Sequence, residues 1–229
     1  MLAPKRGAVS RCMSGERDGG TNCLDVGPKD RADAMSQAAI VLCGGRSRRM
    51  GVDKASLSFG PETLLERVVR LVSEVVDEVW VVAREGQELP AGYQVARDPG
   101  EGLGPLAGLC AGLEAMKAER AFLTSCDVPL LKPAYVERLL ALSRGFPIAV
   151  PRMGGHTMVT SAVYAQEVLP VAQRLVSERR LRPLFLVEAV DARIVTEQEL
   201  REVDPDLDSL RDCNTPEAYR AALRDASLA

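Results

Sequence analysis

From residue 38 onward, apolar residues recur with two periods that alternate along the chain. Short runs rich in alanine, valine and isoleucine predict buried strands, and longer stretches with apolar residues three or four positions apart predict helices. The predicted strands cover residues 38–43, 78–84, 92–96, 121–125, 147–151, 157–164 and 193–196. The predicted helices cover residues 62–76, 105–117, 133–143, 167–176 and 215–226. Because strands and helices alternate, we expect a Rossmann-like α/β fold, with three α/β/α layers around a mostly parallel sheet.

The segment 1–37 does not share this periodicity. It contains no aromatic residue, many charged residues and a Gly-Gly pair. Such a composition cannot bury enough apolar surface to form a core. We therefore expect residues 1–37 to be a disordered N-terminal extension and residues 38–229 to form one domain. Met35 lies just before the first predicted strand, so two alternatives stay open: a true flexible leader, or a protein that starts at Met35.

The composition limits the ligands and metal ions that the protein can bind and the cell compartment in which we expect it. The net charge of −3 argues against nucleic acid as a partner and requires any phosphate site to be local. No stretch approaches the roughly 20 apolar residues of a membrane span. The six cysteines form no C-x-x-C pair, which is typical of reduced thiols in a cytoplasmic protein. Since His156 is the one histidine, a metal site would have to use carboxylates, and these favour Mg²⁺.

The loop after the first predicted strand has the composition of a phosphate-binding loop. Its sequence is LCGGRSRRMGVDK, ending at Lys54. Gly44 and Gly45 allow the backbone to approach a ligand closely, and Ser47 can donate a hydrogen bond. Arg49 and Lys54 carry the positive charge that phosphate oxygens attract. The glycine spacing fits neither the Walker loop nor the dinucleotide fingerprint, which argues against an oxidoreductase.

Three later stretches place polar groups where a ligand of such a fold would bind, beyond the carboxyl ends of the strands. RDPGEGLGPLAGL contains Asp98 and a glycine-rich helix start, where backbone N–H groups can meet a ligand. LTSCDVPLL places Asp127 after an apolar strand, where a carboxylate suits Mg²⁺. A helix N-cap is the alternative for Asp127. In RDCNTPEAY, Asn214 or Thr215 is positioned to cap the last helix.

Together these four stretches resemble the signatures of nucleotidyltransferases, and within that group those of molybdenum cofactor guanylyltransferases. Residues 42–54 fit the family pattern L-x-G-G-x-S-x-R-M-G-x-D-K. Residues 104–108 match its G-P-L-A-G segment, and residues 126–129 match its C-D-x-P segment. The final stretch resembles the N-x-N-T-P-E segment, but Asp212 stands where the family commonly has asparagine. The resemblance extends from about residue 38 to residue 223.

The resemblance implies a fold like that of the nucleotide-diphospho-sugar transferases. It also implies a reaction that transfers GMP from GTP to molybdopterin or the molybdenum cofactor and releases pyrophosphate. The implied catalytic residues are Arg49, Lys54 and Asp127, and Mg²⁺ is implied as the cofactor, held by Asp127 with Asn214 or Asp212. The implied nucleotide contacts are Leu42, Cys43, Gly44, Gly45, Ser47, Lys54, Asp98, Gly104, Pro105 and Leu106.

A basic cluster in SERRLRPL is implied to lie near the pterin substrate. It is formed by Arg179, Arg180 and Arg182, and a solvated helix end is the alternative. Some relatives have a His-Pro pair before the following strand, but His156 is not followed by proline, so no role is transferred to it.

The resemblance also bears on partners and on alternative functions. The implied partners are GTP, molybdopterin or the molybdenum cofactor, and the proteins of molybdenum insertion and molybdoenzyme maturation. One alternative is a related enzyme that uses CTP or a sugar-phosphate acceptor. Another is a nucleotide-binding module without turnover, against which the presence of both Lys54 and Asp127 argues, because binding alone does not require a metal-binding carboxylate.

Overall fold

The order of elements in the structure follows the alternation of the sequence. The computed structural model describes residues 36–43, 54–98, 100 and 102–228. The strands are β1 (Gln37–Leu42), β2 (Ser58–Phe59), β3 (Glu62–Thr63), β4 (Glu78–Ala83), β5 (Gln94–Arg97), β6 (Arg120–Ser125), β7 (Ile148–Met153), β8 (His156–Thr157), β9 (Ala162–Ala165) and β10 (Ala192–Val195). The helices are α1 (Leu64–Ser73), α2 (Gly104–Ala115), α3 (Pro133–Leu142), α4 (Leu169–Ser177), α5 (Leu184–Ala189), α6 (Glu197–Arg201) and α7 (Pro216–Asp225).

The main sheet has the strand order β10-β7-β9-β6-β1-β4-β5, with β8 paired to β7. β1 runs parallel to both β4 and β6, β5 runs parallel to β4, and β10 runs parallel to β7. β9 is antiparallel to β6 and to β7. The prediction of a mostly parallel sheet is confirmed. The parallel strands β5, β4, β1 and β6 are neighbours, so their carboxyl ends share one edge of the sheet.

Alternate residues of the central strand contribute to two cores, one on each face of the sheet. In β1, Ala39 and Val41 belong to the core that α1 and α3 cover. Ala38 and Ile40 belong to the core that α2, α4 and α5 cover. All four side chains are fully buried. The period of two along the strand therefore explains why helices lie on both faces.

Helix α2 packs close to the sheet because it carries glycine where it crosses β1. A Cβ atom on Gly112 would lie 2.7 Å from side-chain atoms of Ile40, and one on Gly108 would lie 2.9 Å from Leu42. A larger residue at either position would push the helix away, since packed interiors have little free space. This close packing holds the start of α2 beside the end of β1.

The prediction of one strand over residues 157–164 is wrong. His156–Thr157 forms β8, residues 158–161 form a turn, and β9 begins at Ala162. No helix lies between β7 and β9, so the chain returns directly and the two strands pair antiparallel.

Helix boundaries also differ from the prediction. Helix α1 begins at Leu64 because Thr63 and Glu66 form a capping box, in which the Thr63 N–H donates to the Glu66 carboxylate at 2.7 Å. The same motif, formed by Thr196 and Glu199, begins the short helix α6. Neither α6 nor α5 was predicted.

Two broader expectations concern the cysteines and the membrane. Within the described ranges, no helix is long and apolar enough to cross a membrane. The cysteines there are buried and form no disulfide: Cys43, Cys110, Cys126 and Cys213. Cys12, Cys23 and the predicted N-terminal extension up to residue 35 lie outside the described residues.

Candidate active site

A cavity of about 720 Å³ lies at the sheet edge where the parallel strands end. Its walls come from residues at the ends of β1, β4, β5 and β6, from the start of α2, and from the segments before β9 and α7. This is the edge at which open α/β sheets bind their ligands.

Lys54 links two polar groups on the β6 side of the cavity. Its Nζ donates to Asp127 Oδ2 at 2.7 Å and also donates to Asn214 Oδ1. The side chains of Lys54 and Asp127 are only 14% and 13% exposed, so water and salt screen their attraction less than at an open surface. Ser125 Oγ donates to the other carboxylate oxygen, Asp127 Oδ1. The carboxylate is thus held from two sides.

The segment that carries Asn214 is attached to the backbone of Asp127. The Cys213 N–H donates to the Asp127 carbonyl at 2.8 Å. The next residue, Thr215, caps α7 by accepting a bond from the Ala218 N–H at 3.2 Å, which confirms the predicted cap. Because Thr215 fills the capping role, the Asn214 side chain is left to line the cavity, where its amide oxygen accepts the bond from Lys54.

The helix-cap alternative for Asp127 is wrong. The next helix, α3, begins at Pro133, and Lys132 occupies its N-cap position. Asp127 lies five residues earlier and lines the cavity.

A second carboxylate connects the loops that follow Asp127 and precede Asn214. Asp204 is fully buried and accepts bonds from Lys132 Nζ at 2.6 Å and from the Ser209 N–H at 2.9 Å. The Lys132 N–H in turn donates to Ser209 Oγ at 3.0 Å. Burial alone would raise the pKa of Asp204, but the bonds from Lys132 and Ser209 outweigh it and lower the pKa below its usual value.

Asp98 and Arg84 lie on the opposite side of the cavity, after β5 and β4. The Asp98 N–H donates to the Ala83 carbonyl at 2.9 Å, which continues the β4–β5 ladder. The Asp98 carboxylate accepts a bond from the Gly100 N–H at 3.2 Å. Burial raises the pKa of Asp98 above its usual value, and the Gly100 bond offsets only part of that effect.

The oxygen atoms on the β6 side suit a small hard cation. Asp127, Asp212 and Asn214 all line the cavity there. Among the described residues, no group of three or more His, Cys, Asp or Glu side chains is arranged as a complete metal site. Mg²⁺ is usually held by one or two carboxylates, while water and substrate phosphates supply its other ligands. The donor set present therefore fits Mg²⁺.

Cys213 is not suited to act as a nucleophile. It is buried beside Asp127, and burial raises the pKa of its thiol to about 12. The reactive form of cysteine is the thiolate, so this side chain is neutral and unreactive near neutral pH.

The structure brings most of the described candidate residues together at the cavity. These are Leu42, Cys43, Lys54, Asp98, Gly104, Pro105, Asp127 and Asn214, with Asp212. Leu106 does not line it, because its side chain is fully buried in the core under α2. A contact from the Leu106 backbone stays a prediction. Gly44, Gly45, Ser47 and Arg49 lie outside the described residues.

The predicted pterin-binding residues are exposed and do not line the cavity: Arg179, Arg180 and Arg182. The guanidinium carbon of Arg180 lies 4.6 Å from the centroid of the Phe185 ring, a cation–π contact. Leu181, inside this basic segment, approaches the cavity wall. A Cβ atom on Gly104 would lie 3.8 Å from the Leu181 carbonyl oxygen. The basic segment thus borders the cavity at the start of α2.

Several cavity residues were missed from the sequence. Arg84 is a single arginine at a strand end, and no motif marks it. Thr160 and Ser161 line the cavity from the turn that was predicted to be part of a strand. The Ser161 hydroxyl lies 3.1 Å from the buried Tyr135 hydroxyl. His156 is exposed and does not line the cavity.

Two sequence comparisons agree on one family. The sequence profile described as the MobA-like NTP transferase domain matches residues 39–193. A protein of Methanosarcina mazei named probable molybdenum cofactor guanylyltransferase is 34% identical over 197 residues, covering 79% of this chain and 87% of that protein. A Mycobacterium avium protein of the same name is 36% identical over 178 residues, covering 74% of this chain and 90% of that protein.

A solved structure gives the same fold. The molybdopterin-guanine dinucleotide biosynthesis protein A of Archaeoglobus fulgidus matches with a TM-score of 0.72, covering 83% of this chain and 98% of that chain. Its sequence identity is 23%, so this likeness concerns the fold alone.

Proposed function

This chain belongs to the family of MobA-like NTP transferase domains, and we propose that it transfers GMP from GTP to molybdopterin or the molybdenum cofactor, with release of pyrophosphate. The observation that carries the proposal is the meeting of Lys54, Asp127 and Asn214 at one side of a cavity at the carboxyl edge of the sheet. The choice of GTP as the nucleotide and of the molybdenum cofactor as the acceptor is based on the names of the relatives, which are molybdenum cofactor guanylyltransferases.

The chemistry is a substitution at phosphorus. An oxygen of the terminal phosphate of molybdopterin forms a bond to the α-phosphorus of GTP, and the bond from that phosphorus to the β-phosphate bridging oxygen breaks. GMP is thereby joined to the pterin, and pyrophosphate carries away the electron pair of the broken bond. A phosphate monoester already carries about −1.5 to −2 charge at neutral pH, so no protein base has to remove a proton. The main obstacles are therefore charge repulsion and alignment.

The described residues address both obstacles. When bound at Asp127 and Asn214 or Asp212, Mg²⁺ would neutralise charge on the triphosphate and on the attacking phosphate. Lys54 brings an ammonium group to the same place, where it can stabilise the charge that develops on the departing pyrophosphate. Ser125 and the Cys213 N–H fix the orientation of Asp127. The role of Arg49 stays a prediction from the sequence.

The basic segment around Leu181 is the proposed site for the acceptor. It borders Gly104 at the cavity, and its three exposed arginines carry charge that complements a phosphorylated pterin. Four buried cysteines without disulfides support a reducing, cytoplasmic location for this reaction. Transfer of the product to proteins that mature molybdoenzymes stays a prediction.

Pyrophosphate release tests the proposal. The purified full-length chain would be incubated with Mg²⁺ and each of GTP, ATP, CTP and UTP, with and without molybdopterin. We expect release only when GTP and molybdopterin are both present. Release with CTP, or with a sugar phosphate in place of molybdopterin, would assign the chain to a related transferase. Tight binding of GTP without any turnover would identify a nucleotide-binding module.

A further inference from the structure

Arg84 is a charged cavity residue with an unsatisfied donor. It directly follows β4 and lines the cavity. Its Nε is buried and has no hydrogen-bond partner among the described residues. Leaving a buried donor without a partner is unfavourable, so its presence at the edge where such sheets bind ligands indicates that a ligand supplies the acceptor.

The backbone of Arg84 is held in place by two neighbours. The Arg84 N–H donates to Gln87 Oε1 at 3.2 Å, and the Arg84 carbonyl accepts bonds from the Gln87 N–H at 3.2 Å and from Arg97 Nη1 at 3.0 Å. Gln87 Nε2 also donates to the Cys43 carbonyl at 3.3 Å, which links this turn to the end of β1. The backbone of Arg84, from which its side chain extends, is therefore fixed relative to the cavity.

Arg84 and Asp98 are neighbours at the cavity. The register of β4 and β5 pairs Ala83 with Arg97, so the next residue of each strand lies about 4.8 Å from the other. Both line the cavity, yet no ion pair joins them in the described part of the chain. Their backbones are adjacent and both residues line the cavity, so this wall offers one donor side chain and one acceptor side chain to a ligand.

This pair lies away from the Lys54–Asp127 side. β1 separates β4 from β6, so two strand spacings, about 10 Å, separate Arg84 from Asp127 across the sheet edge. Apolar residues at the ends of β1 and β4 and at the start of α2 also line the cavity: Leu42, Val82 and Pro105. Apolar residues together with two polar groups suit a flat base, whereas the Lys54 side is suited to phosphates and a metal ion.

We propose that Arg84 donates hydrogen bonds to O6 and N7 of guanine and thereby selects GTP over ATP; this inference rests on the proposed function. Guanine presents two acceptors, O6 and N7, on one edge. Adenine presents N7 and an amino donor there, and a guanidinium group has donors only. Arg84 therefore satisfies both acceptors of guanine and one of adenine.

The test combines substitutions of Arg84 with changes in the base. Calorimetry on the full-length protein with Mg²⁺ would measure the Kd of GTP, ATP and 7-deaza-GTP, which lacks N7, for the wild type, Arg84→Ala and Arg84→Lys. Arg144→Ala is the matched control, because Arg144 is exposed and does not line the cavity. Melting temperatures would show whether each variant is folded.

In the wild type we expect GTP to bind about 5- to 150-fold more tightly than ATP. Arg84→Ala should remove most of this preference by weakening the binding of GTP, and GTP and 7-deaza-GTP should then bind with similar Kd values. Arg84→Lys should retain part of the preference, and Arg144→Ala all of it. If a folded Arg84→Ala protein lost the same affinity for GTP and for ATP, the guanidinium group would contact phosphate and not the base. If the preference for GTP were unchanged, Arg84 would make no contact with the base.

These outcomes separate the inference from the proposed function. A wild type that prefers GTP regardless of Arg84 overturns the inference and leaves guanylyl transfer standing. A wild type that prefers CTP or ATP overturns both.

Discussion

Among the described residues, the charged side chains are paired on one side of the cavity and are not paired with each other on the other side. On the β6 side, the Asp127 carboxylate accepts bonds from Lys54 and Ser125, and Asn214 shares the same ammonium group. On the β4–β5 side, Arg84 and Asp98 stand next to each other without an ion pair between the described atoms. Groups that hold one another in position are suited to aligning a reaction. Groups left with unsatisfied bonding capacity are suited to selecting a ligand. Changes on the first side should therefore lower kcat, and changes on the second should alter which nucleotide binds.

Asp127→Asn should give the largest loss. Asparagine keeps the size of the side chain but removes the charge that pairs with Lys54 and suits a metal ion. We expect kcat to fall about 1,000-fold, at the upper end of the loss from one electrostatic contact, with a need for more Mg²⁺ and a near-normal melting temperature. Pyrophosphate release titrated with Mg²⁺ measures both effects.

Asp212→Asn and Asn214→Ala are the matched variants for the second ligand. Both residues line the cavity beside Asp127. The substitution that raises the Mg²⁺ concentration needed for activity identifies the residue that binds the metal ion together with Asp127. If Asp127→Asn kept the wild-type rate and Mg²⁺ dependence, Asp127 would have no role in metal binding.

Lys54→Ala should lower kcat about 100-fold, the lower end of the same range. The ammonium group is lost, but the carboxylate of Asp127 and its bond from Ser125 remain. Most of the effect should appear in kcat, with a smaller change in the Kd of GTP and little change in melting temperature. Lys117→Ala, at an exposed lysine away from the cavity, is the control. A normal turnover rate in folded Lys54→Ala would refute the assignment.

Asp204→Asn should weaken the connection between the two loops of the β6 side. Its bonds to Lys132 and Ser209 are partly lost, and we expect the free energy of unfolding to fall by about 1–3 kcal/mol. The wild type should also lose stability in acid, because the pKa of Asp204 is lower in the folded state than in the unfolded chain. That stabilisation is full above the unfolded pKa and disappears as the pH falls through the folded one.

Denaturant titrations from pH 6 to pH 2 would test this for both proteins. The difference in stability between wild type and Asp204→Asn should shrink as the pH falls. A constant difference would show that the charge of Asp204 does not contribute.

Replacing Arg179, Arg180 and Arg182 together with alanine should have the smallest effect on nucleotide binding. The three side chains are exposed beside the cavity, so they can contact the acceptor without touching GTP. We expect the KM for molybdopterin to rise about 10-fold, roughly 1.4 kcal/mol, with the KM for GTP unchanged. An unchanged KM for molybdopterin would support the alternative of a solvated helix end.

The sequence predicted the β6 side of the cavity better than the β4 side, and the reason is physical. Asp127 follows an apolar strand within a recognisable motif, and Asn214 precedes a capped helix, so both positions could be inferred from local signals. Arg84 has no such signal, because its proposed role depends on the register between β4 and β5 and on an Nε without a hydrogen-bond partner among the described residues.

The fold shows the same division. The alternation of strands and helices predicted the mostly parallel sheet. The reversal of β9 was not predicted, because a run of apolar residues does not specify strand direction. Helix α6 carried a readable capping box, Thr196 with Glu199, but its five residues are too short to show a helical period.

Isotope transfer tests guanylyl transfer most directly. The full-length protein would be incubated with molybdopterin, Mg²⁺ and GTP labelled with ³²P at either the α- or the γ-position, with Asp127→Asn as the control. We predict that the α-label appears in a pterin–guanine dinucleotide and the γ-label in pyrophosphate, in equal amounts. Label that stays in GTP, or γ-label that is released as inorganic phosphate without a labelled dinucleotide, would contradict the account.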